Sequence, residues 1–156
     1  MPVIILHTVI AAPQERVFDL SRSIALHTLS TSRTDEQAIA GKTSGLMNLH
    51  DTVTWRARHL GRYRTLTSSI TAYNFPHSFT DEMVEGDFHS FCHVHRFEAR
   101  GTDTLMTDEF TYRSPYGWLG RLADVLFLKR YMRRFLVERN EVIREVAEGD
   151  GWKELL

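Results

Sequence analysis

Histidine and phenylalanine side chains occupy every second position of residues 89–97, and the next strand-like run, 105–114, contains Asp108. Alternate residues of an extended strand share a face, so His93 and His95 should point the same way. A tight turn at Gly101-Thr102 would place Asp108 directly opposite His95. An aspartate that holds an imidazole in one tautomer raises its basicity, and the other ring nitrogen can then exchange a proton with a ligand. His95 and Asp108 are therefore the candidate catalytic pair.

The strand face that carries His95 is aromatic with a few ionisable groups, and we expect it to line a cavity. A second tight turn, at Gly86-Asp87, would place Glu82 opposite Phe91 and Thr80 opposite His93. The predicted cavity face consists of Thr80, Glu82, Phe91, His93, His95, Phe97, Met106, Asp108, Phe110 and Tyr112. A register shift of one residue would turn all of them to the other side of the sheet.

Simpler interpretations compete with catalysis. Buried polar groups must be paired, so His95 and Asp108 could satisfy one another or orient a ligand without reacting. A zinc site needs three or four convergent ligands, and Cys92, the only cysteine, points to the face opposite His93. We therefore predict no metal and no cofactor, and we interpret Cys92 as a buried structural thiol.

The elements that must position these residues follow from periodicity. Five runs with a period of two are separated by turn residues at hairpin lengths, which predicts an antiparallel meander. The runs are residues 51–60, 62–74, 77–85, 88–99 and 105–114. An N-terminal strand at 3–10 can add to one edge, and two short helices at 14–20 and 23–29 follow it. Residues 30–45 read as loop with a weak strand at 37–40.

A single long helix is predicted over residues 116–148, where apolar residues recur at steps of three and four. Pro115 precedes the helix and Gly149 follows it, as helix termini prefer. Such a helix needs a broad apolar partner, and a curved sheet supplies one while leaving a hollow on its concave side. We expect Trp55 to line that hollow and Trp118 to cover its mouth. The helix residues expected in the cavity wall are Leu119, Leu122, Leu126 and Phe127.

This order of elements resembles the START/Bet v 1-like (SRPBCC) superfamily, and local sequence agrees. The similar segments are APQERVFDL, TWRARHLG, FTDEMVEGDFHSFCHVHRFE, TLMTDEFTYRSPYGWLG and the arginine-rich closing helix. The resemblance covers nearly the whole chain and is nearest to bacterial polyketide cyclase/dehydrase-like and ligand-binding members. It implies one domain over residues 1–156 with an α+β helix-grip fold, in which six or seven curved antiparallel strands wrap around the long helix. It also implies a cavity for lipids, polyketides or other apolar molecules.

Composition sets further bounds. The chain has 156 residues, 42% of them hydrophobic and 25% charged, as is ordinary for a globular protein. Its formal net charge of -1 gives no reason to expect nucleic-acid binding, and its basic helical residues read as a solvated face paired with nearby glutamates. No apolar run is long enough for stable membrane insertion. With one cysteine and no basic region before the N-terminal apolar run, a cytoplasmic protein is expected.

Two functions are consistent with these features. The preferred one is the binding of a small hydrophobic molecule in a cavity between sheet and helix. The alternative is a cofactor-independent cyclase, dehydratase or isomerase that uses His95 and Asp108 in the same cavity. No motif in the sequence specifies the ligand, the cavity size or the oligomeric state.

Overall fold

The computed structural model describes residues 1–115 and 117–156, apart from the side chains of Asp124 and Val125. Its seven described strands form one antiparallel sheet in the order β1-β7-β6-β5-β4-β3-β2. The strands are β1 (Val3–Ile10), β2 (Gln37–Gly41), β3 (Thr52–His59), β4 (Arg62–Asn74), β5 (Ser78–Glu85), β6 (Ser90–Arg100) and β7 (Asp103–Arg113). The predicted meander is confirmed, with the N-terminal strand added beside β7.

The helices lie on one side of this sheet. Helices α1 (Gln14–Ser21) and α2 (Ile24–Ser30) follow β1, and a 3₁₀ turn (Ser32–Thr34) leads into β2. Ser23 begins α2 because its side chain accepts a hydrogen bond from the backbone nitrogen of Leu26 at 3.2 Å, which satisfies one unpaired donor of the first turn.

The predicted long helix is present as three consecutive segments. They are α3 (Gly117–Ala123), a π-helical segment (Asp124–Leu128) and α4 (Lys129–Glu148); a short α5 (Trp152–Leu155) follows. Tyr116, where the predicted helix begins, lies outside the described residues. Gly120 permits a close approach at the start of this helix, since a Cβ there would lie 2.1 Å from the carbonyl oxygen of Pro115. The helix-grip architecture predicted from the order of elements is confirmed.

Two hydrophobic clusters fill the space between helices and sheet. The first surrounds Phe18 of α1, whose ring packs edge-on against the rings of Phe79 and Phe97 with centroids 5.3 and 5.2 Å away. It also holds Met106 and, from α4, Ile143, both fully buried. The second cluster joins β1, β6, β7 and α4 through Ile4, Leu6, Phe91, Phe110, Tyr112 and Leu136. Between these clusters the helix stands away from the sheet.

Strand register agrees with prediction in one hairpin and differs in the other. Between β6 and β7, His95 pairs with Asp108 and His93 with Phe110, as predicted. Between β5 and β6 the predicted pairing of Glu82 with Phe91 is wrong, because Glu82 pairs with Cys92 and Asp81 with His93. Residues 86–89 form a longer connection than the two-residue turn that was assumed. The resulting one-residue shift exchanges the two faces of β5.

Adjacent residues of β1 provide a test of which sheet face is buried. Ile4 is 1% exposed and Ile5 is 50% exposed. We expect Ile4→Ala to lower the free energy of unfolding by about 2–5 kcal/mol, because it leaves a cavity in a packed cluster. The matched variant Ile5→Ala should change it by about 0.5 kcal/mol or less. Urea unfolding followed by tryptophan fluorescence measures both, and equal losses would contradict the assignment of the inner face.

Candidate functional site

A cavity of about 320 Å³ lies between the inner face of the sheet and α4. Its wall is mostly apolar and rich in aromatic rings. The apolar lining residues are Ile24, Met47, Val53, Trp55, Ala57, Leu60, Leu66, Ile70, Phe79, Phe88, Phe91, Phe110, Pro115, Leu128, Met132, Phe135 and Leu136. Walls of this kind, with a small number of polar groups, are typical of small-molecule sites.

The cavity opens at one end of the sheet. The lining residues that are exposed, Leu60, Thr65 and Asp87, lie at or beside the β3–β4 and β5–β6 connections. Ser21, Ser23 and Met47, at the opposite end, are buried. A ligand would therefore enter near the two connections and extend toward α1 and α2.

Asp108 is the centre of a buried polar cluster beneath the cavity. Its Oδ1 atom lies 2.8 Å from His93 Nε2 and 3.6 Å from Arg139 Nη1. Its Oδ2 atom accepts a hydrogen bond from Asn140 Nδ2 at 2.7 Å. Burial alone would raise the pKa of Asp108, but the hydrogen bond from His93, the nearby ring nitrogen of His95 and the attraction of Arg139 outweigh it and hold the pKa well below its ordinary value. The carboxyl group is therefore ionised and only accepts, so His93 Nε2 carries a proton.

His95 occupies a more apolar position in the same wall. Its ring stacks on Phe79 and on His93, with centroids 4.3 and 3.8 Å away. Its Nδ1 atom lies 3.2 Å from Asp108 Oδ1, but without the alignment of a hydrogen bond. Burial, reinforced by repulsion from His93, lowers the pKa of His95 well below 6.5, so the imidazole is neutral at neutral pH.

The structure brings the predicted catalytic residues together but changes their roles. His95 and Asp108 are cross-strand partners, yet His93, diagonal to Asp108, makes the well-formed hydrogen bond. His93 and His95 line the cavity, whereas Asp108 is fully buried behind them. Asp108 can therefore act on a ligand only through a neighbouring side chain that lines the cavity, such as His93 or Arg139.

The predicted ligand-binding residues fall into three groups. Trp55, Phe91, His93 and Phe110 line the cavity. Phe97 and Met106 belong to the cluster around Phe18, and Tyr112 belongs to the second cluster, so all three are packed behind the wall. Glu82 faces the other side of the sheet because of the register shift in β5.

The part of the long helix that lines the cavity lies further along the chain than predicted. Trp118, Leu119, Leu122 and Leu126 are 73%, 53%, 50% and 68% exposed and do not line the cavity. The wall is instead supplied by Leu128, Tyr131, Met132, Phe135, Leu136 and Arg139. A π-helical turn contains an additional residue, so it changes which side chains of the following helix face the sheet.

Two acidic residues of the cavity wall were missed by the sequence analysis. The register predicted for β5 puts Glu82 on the inner face and therefore its neighbour Asp81 on the outer face. Glu36 lies in the segment that was interpreted as loop. Glu36 Oε1 lies 2.9 Å from His27 Nε2. Burial raises the pKa of Asp81, and the attraction of His93 offsets only part of that effect. The alternating pattern of β5 includes Asp81, but the length of the β5–β6 connection is needed to tell which face of the sheet Asp81 occupies.

Metal binding is poorly supported at the one cluster of potential ligands found among the described residues. Ligand atoms of His93, His95 and Asp108 lie within 4.8 Å of one another. The Arg139 guanidinium, however, already places a positive charge 3.6 Å from the carboxylate oxygen that would bind the ion. Like charges at this distance repel strongly in a buried site. The donor set fits an internal ion-pair network better than a cation site.

Two other predictions concern the outer surface. Cys92 is a half-buried free thiol, and burial raises its pKa, which makes it a weak nucleophile. The basic surface of α4 is paired with glutamate as expected at Arg134, which contacts Glu138. The same expectation is wrong for Arg139, which is buried beside Asp108 instead of lying on the solvated face. Within the described residues, none of the helices is long and apolar enough to cross a membrane.

The Asp108 cluster predicts a pH-dependent contribution to stability. We expect Asp108→Asn to lower the free energy of unfolding by about 3–5 kcal/mol at pH 7, because Arg139 is left buried without a charged partner. The folded-state pKa of Asp108 is lowered, so its contribution is complete above its ordinary pKa of 3.8 and is lost as the pH falls further. Urea unfolding at pH 7 and pH 3 should show the gap between wild type and variant narrowing in acid.

The control for this experiment is Glu109→Gln, which alters the next residue on the outer face. Glu109 pairs with Arg96 at 3.0 Å in an exposed position, so the change should be within about 0.5 kcal/mol. If the difference in unfolding free energy between wild type and Asp108→Asn is as large at pH 3 as at pH 7, the stabilising role assigned to the ionised Asp108 is wrong.

Comparison with known proteins identifies the fold. No family model and no curated protein matches the sequence. Among solved structures, TTHA0849 from Thermus thermophilus is 18% identical, covers 92% of this chain and 95% of its own, and has a TM-score of 0.76. Ginseng major latex-like protein 151 from Panax ginseng is 18% identical, with coverages of 95% and 98% and a TM-score of 0.69. Ara h 8.0201 is 11% identical, with coverages of 91% and 97% and a TM-score of 0.57. The chain has the helix-grip fold of the START/Bet v 1-like superfamily, as its order of elements predicted.

Proposed function

We propose that this protein binds a small hydrophobic molecule in the cavity between the sheet and α4. The observation that carries the proposal is the cavity itself, which is preformed, open at one end and lined by aromatic and aliphatic side chains. Burying apolar ligand surface against such a wall contributes about 25 cal/mol per Å². The fold shared with the ginseng protein and Ara h 8.0201 is consistent with this use.

The size of the cavity narrows the class of ligand. A volume of about 320 Å³ lies at the low end of the range for small-molecule sites. It suits two or three fused rings, as in a short aromatic polyketide, or one medium-length acyl chain. A two-chain phospholipid would not fit without a large displacement of α4. We therefore favour a compact ligand over a membrane lipid.

Filling the cavity provides a direct test. N-phenyl-1-naphthylamine, an uncharged probe of two aromatic parts, should bind wild-type protein with enhanced fluorescence. Ala57 lies in the wall and is 4% exposed, so Ala57→Trp should occupy the ligand space and weaken binding by about tenfold or more. Fluorescence titration gives the affinities, and native mass spectrometry of the purified protein reports any copurified molecule.

The control variant is Ala72→Trp, which adds the same indole to an exposed position of β4. It should leave probe affinity within about twofold, since it adds no volume to the cavity. If both variants bind the probe as the wild type does, or if the wild type does not bind it, the cavity is not a binding site.

A second candidate function is general acid–base catalysis on a bound carbonyl compound. The observation that favours it is the hydrogen bond from His93 Nε2 to Asp108, which fixes the tautomer. His93 Nδ1 makes no hydrogen bond to any described residue, so its lone pair is available to accept a proton. Asp108 would stabilise the imidazolium that forms, as in other aspartate–histidine pairs. Removal and return of a proton next to a carbonyl would support isomerisation, dehydration or aldol-type cyclisation.

Hydrogen–deuterium exchange of 2-tetralone in D₂O tests this chemistry without knowledge of the natural substrate. If His93 is the base, wild-type protein should speed exchange at the carbon between ring and carbonyl, and His93→Gln should reduce that rate about a hundredfold. The affinity for N-phenyl-1-naphthylamine should stay within about threefold. His95→Gln distinguishes the two histidines, because loss of exchange only in that variant would assign the base to His95. If 2-tetralone exchanges no faster with wild-type protein than with the Asp108→Asn variant, this candidate function is wrong.

A further inference from the structure

Two carboxyl groups of the cavity wall each hold an oxygen that is buried and has no hydrogen-bond partner among the described residues. They are Oε2 of Glu36 and Oδ1 of Asp81. An unsatisfied buried polar atom destabilises the folded state, and such atoms are uncommon in native proteins. Two of them in one apolar cavity indicate that a ligand supplies the missing hydrogen bonds.

The surroundings of Glu36 leave one side of its carboxylate for a ligand. Glu36 is 6% exposed, and its Oε1 atom is engaged by His27 Nε2 at 2.9 Å. The His27 ring is held in turn against Trp55, with centroids 4.2 Å apart. Because His27 and Trp55 also line the cavity, the carboxylate is fixed in its wall rather than turned to solvent. Its remaining oxygen, Oε2, is available to accept a hydrogen bond.

Asp81 occupies a second position in this wall, on the strand directly opposite His93. Burial raises its pKa, and the attraction of His93 and a hydrogen bond from Ser68 only partly reverse this. A carboxyl group in this state can accept a hydrogen bond through Oδ1 and can carry a proton at higher pH than an exposed aspartate. It therefore suits an uncharged polar group of a ligand.

The cationic side chains of the cavity wall are already paired. Arg64 lies 2.6 Å from Asp87, and Arg22 lies 2.8 Å from Asp19. Arg139 lies 3.6 Å from Asp108 and donates to the backbone oxygen of Ser21. Of the arginines and lysines described as lining the cavity, none is left to neutralise an anionic ligand. A carboxylate ligand would meet two acidic residues and no unpaired cation.

We infer that the cavity selects an apolar, ring-containing molecule that carries hydroxyl hydrogen-bond donors, a phenol or an alcohol, with Glu36 and Asp81 each able to accept from one hydroxyl. This inference rests on the proposed binding function and names the class of ligand for the same site. It excludes carboxylic acids such as fatty acids as preferred ligands. It also sets the orientation of the ligand, with its rings against the aromatic wall and a hydroxyl group toward Asp81 or Glu36.

A matched series of naphthalenes tests the inference by competition with N-phenyl-1-naphthylamine. The series is 2-naphthol, which donates a hydrogen bond, 2-methoxynaphthalene, which only accepts, naphthalene, which does neither, and 2-naphthoate, which is anionic. We expect 2-naphthol to bind at least about tenfold more tightly than each of the others, because it alone can donate a hydrogen bond to an unpartnered carboxyl oxygen of the wall.

Variants assign the preference to the two carboxyl groups. Asp81→Leu and Glu36→Met replace each by an apolar residue of similar size. The variant that removes the acceptor of the single hydroxyl of 2-naphthol should reduce its preference over 2-methoxynaphthalene to about threefold or less. Naphthalene affinity should not change in either variant. A purely structural role would instead weaken all four ligands alike. Glu82→Leu, next to Asp81 on the opposite face, should keep the preference for 2-naphthol.

The outcomes separate the inference from the function on which it rests. Equal affinities across the series, or tightest binding of 2-naphthoate, would overturn the hydroxyl preference while leaving apolar binding intact. Binding of the fluorescent probe without binding of any naphthalene would also overturn it. Failure of the fluorescent probe to bind would instead refute the cavity as a binding site. An unchanged 2-naphthol preference in both Asp81→Leu and Glu36→Met would show that the carboxyl groups are not the acceptors.

Discussion

The structure depends on one buried carboxylate, Asp108, that joins the sheet to the long helix. Two histidines of β6 approach it from the sheet, and Arg139 and Asn140 approach it from α4. An ionised group in so apolar a place is tolerated only while its donors remain. Loss of His93 or Asn140 would remove a hydrogen bond from Asp108. The network thus fixes the distance between α4 and the sheet at this point, and the cavity lies beside it, where the space between them is not filled by side chains.

Successive parts of the long helix therefore have different structural roles. Ile143 and Ala147, toward its C-terminal end, complete the hydrophobic core. Arg139 and Asn140 anchor the helix to Asp108. The preceding turns, from Leu128 to Leu136, supply the cavity wall, and α3 presents apolar side chains such as Trp118 to solvent. One amphipathic pattern in the sequence therefore serves three environments, because the helix is longer than the core that it covers.

The polar groups of the cavity divide in a corresponding way. His93 is hydrogen-bonded to Asp108 and His95 lies beside it, so both belong to the network that positions the helix. Glu36 and Asp81 are not part of that network, and each keeps an unpartnered oxygen at the cavity wall. The first pair is suited to holding the architecture and, in the second candidate function, to moving a proton. The second pair is suited to recognising a ligand.

The sequence by itself determined the order of elements and the pairing of His95 with Asp108, because the alternation is long and the Gly101 turn is short. It also placed Trp55, Phe91 and Phe110 in the cavity wall. Only the tertiary structure decided which face Asp81 and Glu82 occupy, since a register shift of one residue reverses the faces of a strand. It also decided that Leu128, rather than Leu119, begins the helical wall, because the distance between helix and sheet arises from contacts far apart in the chain.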